Sequence, residues 1–354
     1  MHPHIFTKKL MQWHFTKNKR QMPWKEEKDP YKIWLSEVIL QQTRVEQGKS
    51  YYEKLIKKYP TILHLANAEN EEVFKLWEGL GYYNRCKNLL FTARFIAEKK
   101  DGKFPENYED ILALKGIGNY TAAAISSFAF NLPFAVLDGN VFRVLSRFFG
   151  IGLPIDSLEG KIKFTGLAAT LLDKKNSASY NQAIMDFGAT ICKPLLPLCF
   201  ECHLQNFCVA YKKGLVDKLP LKEKVLLRKN RWFTYFIFQV NNKILVNKRI
   251  DKDIWQNLYE FYLFETKEKT DWNFTKIKTW LLHQHNIKKM EVKNISPILS
   301  QQLTHQNIKA QFVLVKLFST PISLQNFQWI NEKNISRLAF PKIINQYIQT
   351  KIFS

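Results

Sequence analysis

The sequence predicts a multidomain protein: an all-α domain over residues 1–211, a basic linker over 212–230, and an α+β domain over 231–354. Three observations carry this division. A length of 354 residues, at ~150 residues per domain, makes two domains. From Tyr31 to about Tyr211 apolar residues recur every three or four positions, as in Leu76, Leu80 and Tyr83, or Leu89, Leu90, Ala93, Ile96 and Ala97. After residue 231 the period becomes two.

Composition bounds the function. Lys and Arg total 53 against 31 Asp and Glu, a formal charge of +22, which points to a polyanionic partner rather than a small neutral substrate. Apolar types at 46% and aromatics at 14% exclude disorder for the bulk of the chain. No window of about 18 uncharged apolar residues occurs, and Met1–Lys9 lacks the apolar core of a secretory signal, so a cytoplasmic, nucleoid-associated protein with no membrane partner is expected. Five cysteines, four of them crowded together, argue against a secreted disulfide framework.

Between the domains, Lys212, Lys213, Lys218, Lys222, Lys224, Arg228, Lys229 and Arg231 gather around Gly214 and Pro220 with few core-forming residues, as in a linker able to lie along phosphates. Trp232–Val240, the pair Asn241-Asn242 and Lys243–Val246 predict a β-hairpin, with asparagine supplying the positive φ of a type I′ turn. A helix is expected around Trp272–His285, and a strand over Gln311–Leu317.

Cys192, Cys199, Cys202 and Cys208 are spaced C-x6-C-x2-C-x5-C, which suits tetrahedral zinc or an iron–sulfur cube. One short knuckle flanked by longer arms favours the cube, in a structural role, since no flavin or nucleotide fingerprint accompanies it. Gly116 and Gly118 precede an alanine-rich helix beginning at Asn119 and Tyr120. There a backbone free of side chains could offer amides to a phosphodiester, or could simply make a tight turn.

Two carboxylates stand out. Glu37 is embedded among Trp34, Leu35, Val38 and Ile39, an apolar setting that would raise its pKa. Asp138 opens a helix, where it could cap the N-terminus or act as an anion. A protonated acid paired with an ionised one meets the needs of glycosidic cleavage, a proton donor for the leaving group and a negative charge beside an oxocarbenium-like sugar.

These motifs together resemble the adenine DNA glycosylases of the MutY type, within the helix-hairpin-helix superfamily that includes endonuclease III. The resemblance runs over about residues 20–212: Met22-Pro23-Trp24, Trp34–Thr43, Leu76–Arg85, Gly116–Thr121, Leu137–Val141 and the four cysteines. It implies helix-hairpin-helix glycosylase lobes with a [4Fe-4S] cluster loop, followed by a Nudix-like α+β domain. It further implies removal of adenine mispaired with 8-oxoguanine or guanine in double-stranded DNA, by a monomeric enzyme.

By the same resemblance Glu37 protonates adenine N7 and later positions water, and Asp138 stabilises the sugar cation with Tyr120 and Asn140 beside it. Cys192, Cys199, Cys202 and Cys208 hold the cluster. Gly116, Gly118, Gln42, Thr43, Leu80 and Tyr82 contact DNA around the flipped nucleotide. Trp24, Lys25 and Gln182 form the adenine pocket, although the family usually has arginine where Lys25 stands. Thr304 and His305, after Leu303, occupy the place of the loop that recognises 8-oxoguanine.

Endonuclease III-like relatives carry a lysine nucleophile where this chain has Tyr120, which implies excision without strand cleavage. Asp253–Phe261 resembles a block of the family's second domain, with Tyr262 where proline is usual. The acidic helix of true Nudix hydrolases is absent from the sequence, so no pyrophosphatase activity is expected. The alternatives are an endonuclease III-like glycosylase acting on mismatched thymine or oxidised pyrimidines, and a non-catalytic DNA-binding protein on the same scaffold.

Overall fold

A computed structural model describes residues 3–223 and 227–351. Residues 224–226 of the basic stretch, and 352–354 of the second domain, lie outside the described residues. The chain divides into two compact units, Met1–Ala68 with Lys87–Lys224, and Glu69–Cys86 with Val225–Ser354.

The first unit is helical, with no strand among its described residues. Its core forms where Phe6, Leu10 and Trp13 of the helix Pro3–Lys17 meet Val141, Val144, Leu145 and Phe148 of Gly139–Phe149 and Tyr180, Ala183, Ile184 and Phe187 of Ser177–Thr190. Each set repeats at three or four residues, so one stripe of each helix is withdrawn from water. The helix Pro30–Leu40 starts where its residues dictate: Asp29 accepts a hydrogen bond from the Tyr31 amide, and Pro30 occupies the first turn, where no amide is needed. Gly188 lets Ser177–Thr190 cross Gly139–Phe149 closely, because a Cβ there would stand 2.7 Å from the Asn140 Cβ. That crossing sets the Gln182 helix against the end of the helix that carries Asp138.

The second unit contains strands β1 (Lys229–Val240), β2 (Lys243–Lys248), β3 (Tyr259–Glu260), β4 (Tyr262–Thr266), β5 (Met290–Ile295), β6 (Leu299–Gln302), β7 (Gln306–Leu317) and β8 (Gln328–Asn331). β1 runs parallel to β7 and antiparallel to β2 and β4, while β5 and β6 pair antiparallel with β7. Alternation along β1 and β7 fills both faces of the sheet. Phe236, Phe238, Val313 and Val315 pack with Ile277 and Leu281 of the helix Phe274–His285. Phe312 stacks between Tyr235 and Tyr347, the latter on the helix Lys342–Lys351.

Three local expectations are corrected. The helix starts at Phe274, capped by Asn273, and leaves Trp272 outside. β7 begins at Gln306 rather than Gln311, because its polar residues still pair with β1 and β6. In the hairpin turn positive φ falls on Asn241 alone, at 51°, whereas a type I′ turn needs it at both central residues.

The stretch Glu69–Cys86 groups with the second compact unit. Lys248 Nζ lies 2.7 Å from Glu71 Oε1, Lys75 Nζ donates to the Leu338 carbonyl at 2.9 Å, and the Phe340 amide donates to Glu78 Oε1 at 2.8 Å. These bonds join residues far apart in sequence, which no local pattern announces.

Candidate active site

In the helical unit Glu37, Tyr120, Asp138 and Asn140 line one cavity of about 940 Å³, together with Trp24, Lys25, Gln42, Thr43 and Gln182. Four helix ends and turns converge to build it. Glu37 lies near the C-terminus of Pro30–Leu40 and is only 6% exposed. Burial raises its pKa to about 7, with the Asp138 charge adding to the rise and a Tyr120 hydrogen bond opposing it. Near neutrality this carboxyl can therefore give or accept a proton.

Asp138 both caps and faces the cavity. Its Oδ1 accepts from the Val141 amide at 2.8 Å, and its Oδ2 accepts from Asn140 Nδ2 at 2.7 Å. Burial raises the Asp138 carboxyl above its ordinary range, while these donors and the Arg143 charge favour its ionised form. The cap weighed for this residue from sequence is formed, and the same side chain lines the cavity. The Tyr120 hydroxyl stands by Glu37 and 3.4 Å from Met185 Sδ.

Gly116, at φ +83°, lies where a Cβ would stand 2.7 Å from the Asn88 Cβ. Gly118 caps the helix Asn119–Phe130 with no side-chain partner for the first amides, and a Cβ there would meet nothing within 4 Å. The hairpin thus presents bare backbone at a helix N-terminus. Gln42, at φ +56°, is exposed beside Thr43.

The second unit holds the remaining candidates. Tyr82, 45% exposed at φ +50°, shares a hydrogen bond of 2.9 Å between its Oη and Thr304 Oγ1. His305 is exposed, and its carbonyl accepts from the Lys229 amide at 3.0 Å. Leu80, expected at DNA, is instead packed inside at 5% exposure. An apolar side chain beside Trp77 gains more from the core than from water.

The four cysteines sit in one loop. Burial, reinforced by the neighbouring sulfurs, pushes the Cys202 thiol up to about 12, and Cys199 and Cys208 also upward. Arg147 Nη1 lies 3.6 Å from Cys192 Sγ and donates to the Lys193 carbonyl at 2.7 Å, and Cys208 Sγ is 3.4 Å from the Arg147 carbonyl. Among the described residues no three His, Cys, Asp or Glu side chains are close enough to grip a single ion.

Sequence reasoning missed Arg143. This buried residue donates to Asn140 Oδ1 at 2.8 Å, to the Gly188 carbonyl at 2.7 Å and to the Cys192 carbonyl at 2.7 Å, so it ties the Asp138 helix to the cysteine loop. The available signal was a pair of arginines, Arg143 and Arg147, inside the apolar stripe of Val144, Leu145 and Phe148.

A helical unit with two carboxylates in one cavity, and a separate sheet unit in the same chain, are the organisation of a base-excision DNA glycosylase with a Nudix-like domain. Residues 35–157 match the HhH-GPD superfamily base excision DNA repair proteins, and residues 234–350 match the NUDIX domain. The adenine DNA glycosylase of Buchnera aphidicola subsp. Schizaphis graminum (strain Sg) is 34% identical over 98% of this chain and 98% of its own length. That of Homo sapiens is 40% identical over 60% of this chain and 41% of its own. The chain belongs to the adenine DNA glycosylase family, and is an enzyme of base-excision repair.

Solved structures agree on the helical fold. A thermostable thymine-DNA glycosylase shares 31% identity at TM-score 0.55, covering 60% of this chain and 97% of that one. A non-covalent endonuclease III–DNA complex, 21% identical at TM-score 0.53 over 61% of this chain and 99% of that one, shares the fold. No helix among the described residues is long and apolar enough to cross a membrane.

Proposed function

We propose that the chain removes adenine paired with 8-oxoguanine or guanine by hydrolysing the N-glycosidic bond, as a monomer, and leaves the strand uncut. The observation that carries this is the pairing of Glu37, poised near pH 7, with Asp138 in one cavity. Glu37 delivers its proton to adenine N7. The C1′–N9 bond breaks with its electron pair leaving on the base, and the Asp138 carboxylate offsets the positive charge on the sugar. Glu37, now ionised, accepts a proton from the water that adds to C1′. Asn140 and the Val141 amide hold Asp138 in place during this exchange.

Tyr120 supports the monofunctional reading, since a phenol cannot form the Schiff base that precedes strand cleavage. Trp24, Lys25 and Gln182 line the cavity and suit an extruded base. Gly116, Gly118, Gln42, Thr43 and Tyr82 are assigned to the DNA backbone and the gap, and Thr304 with His305 to the opposite 8-oxoguanine.

The cysteine loop fits a [4Fe-4S] cluster better than zinc. One short knuckle between longer arms, C-x6-C-x2-C-x5-C, is unlike the paired knuckles of zinc ribbons and suits four thiolates on a cube. Cys192, Cys199, Cys202 and Cys208 would hold it, with the Arg147 guanidinium offsetting its negative charge. Bound there, it would brace the loop. Arg143 and Arg147 carry that bracing to the helix of Asp138 through the carbonyls they bind.

Single-turnover excision on A:8-oxoguanine, A:G and T:G duplexes, each split between neutral and alkaline work-up, tests the proposal. Adenine release with strand breaks only after alkali is expected. Release of thymine, or cleavage at neutral pH, would move the chain to the endonuclease III branch.

A further inference from the structure

We propose that Asp186 is a positioning residue of the base pocket, its buried carboxylate tying together Arg20 and Lys25, the two residues that bracket Trp24. The inference rests on the adenine-excision reading above and extends it to a side chain that does not itself line the cavity.

Asp186 is fully buried on the helix Ser177–Thr190, one turn beyond Gln182. Its Oδ1 accepts from Arg20 Nη1 at 2.8 Å, and its Oδ2 accepts from Asn18 Nδ2 at 2.8 Å. Lys25 Nζ stands 3.9 Å from Oδ2 and donates to the Arg20 carbonyl at 2.7 Å. The segment from Arg20 to Lys25 is therefore closed on itself and fastened to the helix at both ends. The segment has a turn, closed by the Lys25 amide on the Met22 carbonyl at 3.0 Å, but no helix or strand among the described residues, so the carboxylate adds a constraint from outside it.

Between those two ends lies Trp24, whose ring meets Tyr52 edge-on at 5.3 Å and lines the cavity. Asn18, Arg20, Lys25 and Gln182 line the same cavity. One carboxylate thus fixes the spacing between two opposite parts of the pocket lining, the Trp24 segment and the Gln182 helix. A buried charge with two short charge-assisted contacts holds its geometry within narrow limits. Replacing it by an amide removes the attraction for Lys25 and leaves an NH2 facing cationic donors.

The full-length protein is compared with Asp186→Asn and with Lys25→Met, which cuts one arm and spares the core. Four quantities are read: single-turnover excision on A:G, duplex affinity, melting temperature, and fluorescence of 2-aminopurine placed opposite guanine, which brightens as the base leaves the stack. Asp186→Asn should slow excision by roughly 10- to 100-fold, the scale of a misplaced contact remote from the chemistry, and dim the 2-aminopurine signal. Duplex affinity and the pH at which the rate falls should stay as in the parent. Lys25→Met should move the rate and the signal in the same direction, by less.

Parent-like excision and fluorescence in Asp186→Asn would overturn the proposal, as would a rate loss matched by equal losses of affinity and folded protein. If Asp186→Asn does not fold, Asp186→Glu, which keeps the charge and lengthens the arm, decides by the same two readings. A parent protein that releases no adenine would sink the functional reading instead, and is told apart by that control.

Discussion

Tyr82 and Thr304, 222 positions apart in the chain, meet through a 2.9 Å hydrogen bond between their hydroxyls. Tyr82 is held for this contact at φ +50°, a conformation that a bulky residue adopts only under constraint. The Arg85 guanidinium covers its ring at 5.1 Å and the Trp77 ring at 5.6 Å. Under the proposed function this pair contacts the base opposite adenine.

Removing either hydroxyl should therefore blunt discrimination. Tyr82→Phe and Thr304→Ala are each expected to lower the preference for A:8-oxoguanine over A:G by roughly 3- to 10-fold, the range of one hydrogen bond. The double variant should lose little more than either single one, because both remove the same bond. Paired excision rates measure the ratio, and an unchanged ratio would remove this pair from lesion recognition.

Glu37→Gln should abolish adenine release while retaining mispair binding, since the proton serves the chemistry alone. It should also change stability in a pH-dependent way. The folded pKa of Glu37, about 7, lies above the ordinary value of 4.5, so its contribution is fully present below about 4.5 and lost as pH rises through 7. At pH 8 the glutamine variant should be the more stable by on the order of 2 to 4 kcal/mol, and near pH 4 no more stable than the parent. Thermal melts at the two pH values check the sign.

Tyr120→Phe should shift the pH profile upward. The phenol donates to the Glu37 carboxylate and lowers its pKa against the larger effect of burial. Without it the acid stays protonated to higher pH, so the alkaline fall of the excision rate should move up from about 7. A fall that stays in place would separate Tyr120 from Glu37.

Arg143→Met should destabilise the helical unit. It strips the donor from the buried Gly188 carbonyl and from the part-buried Cys192 carbonyl and Asn140 side chain, at a cost of about 3 kcal/mol. Iron content should drop with the melting temperature. In the parent protein a yellow-brown colour with about four irons per chain is expected, and a colourless zinc-loaded protein would refute the cluster.

Much of the site was legible because its chemistry is local. Glu37 sits in an apolar run, Asp138 at a helix start, and two glycines ahead of an alanine-rich helix, each visible within about ten residues. Asp186 was not, because it lies among Ala183, Ile184 and Phe187 and its partners are more than 160 positions away. The placement of Glu69–Cys86 with the sheet unit was hidden for the same reason, and the buried end of that loop at Leu80 ran against the expected contact. Periodicity reports which face of an element is apolar. It does not report what that face meets.

Because one oxygen of Asp138 starts a helix while the side chain as a whole supplies the anion, the two duties can be lost separately. Alanine at this position would fray the helix and betray itself as a poorly folded protein. Asparagine caps a helix as well as aspartate does. On the proposed function, a chain carrying that exchange would keep its shape and its grip on the duplex, and would sit on its substrate without releasing the base.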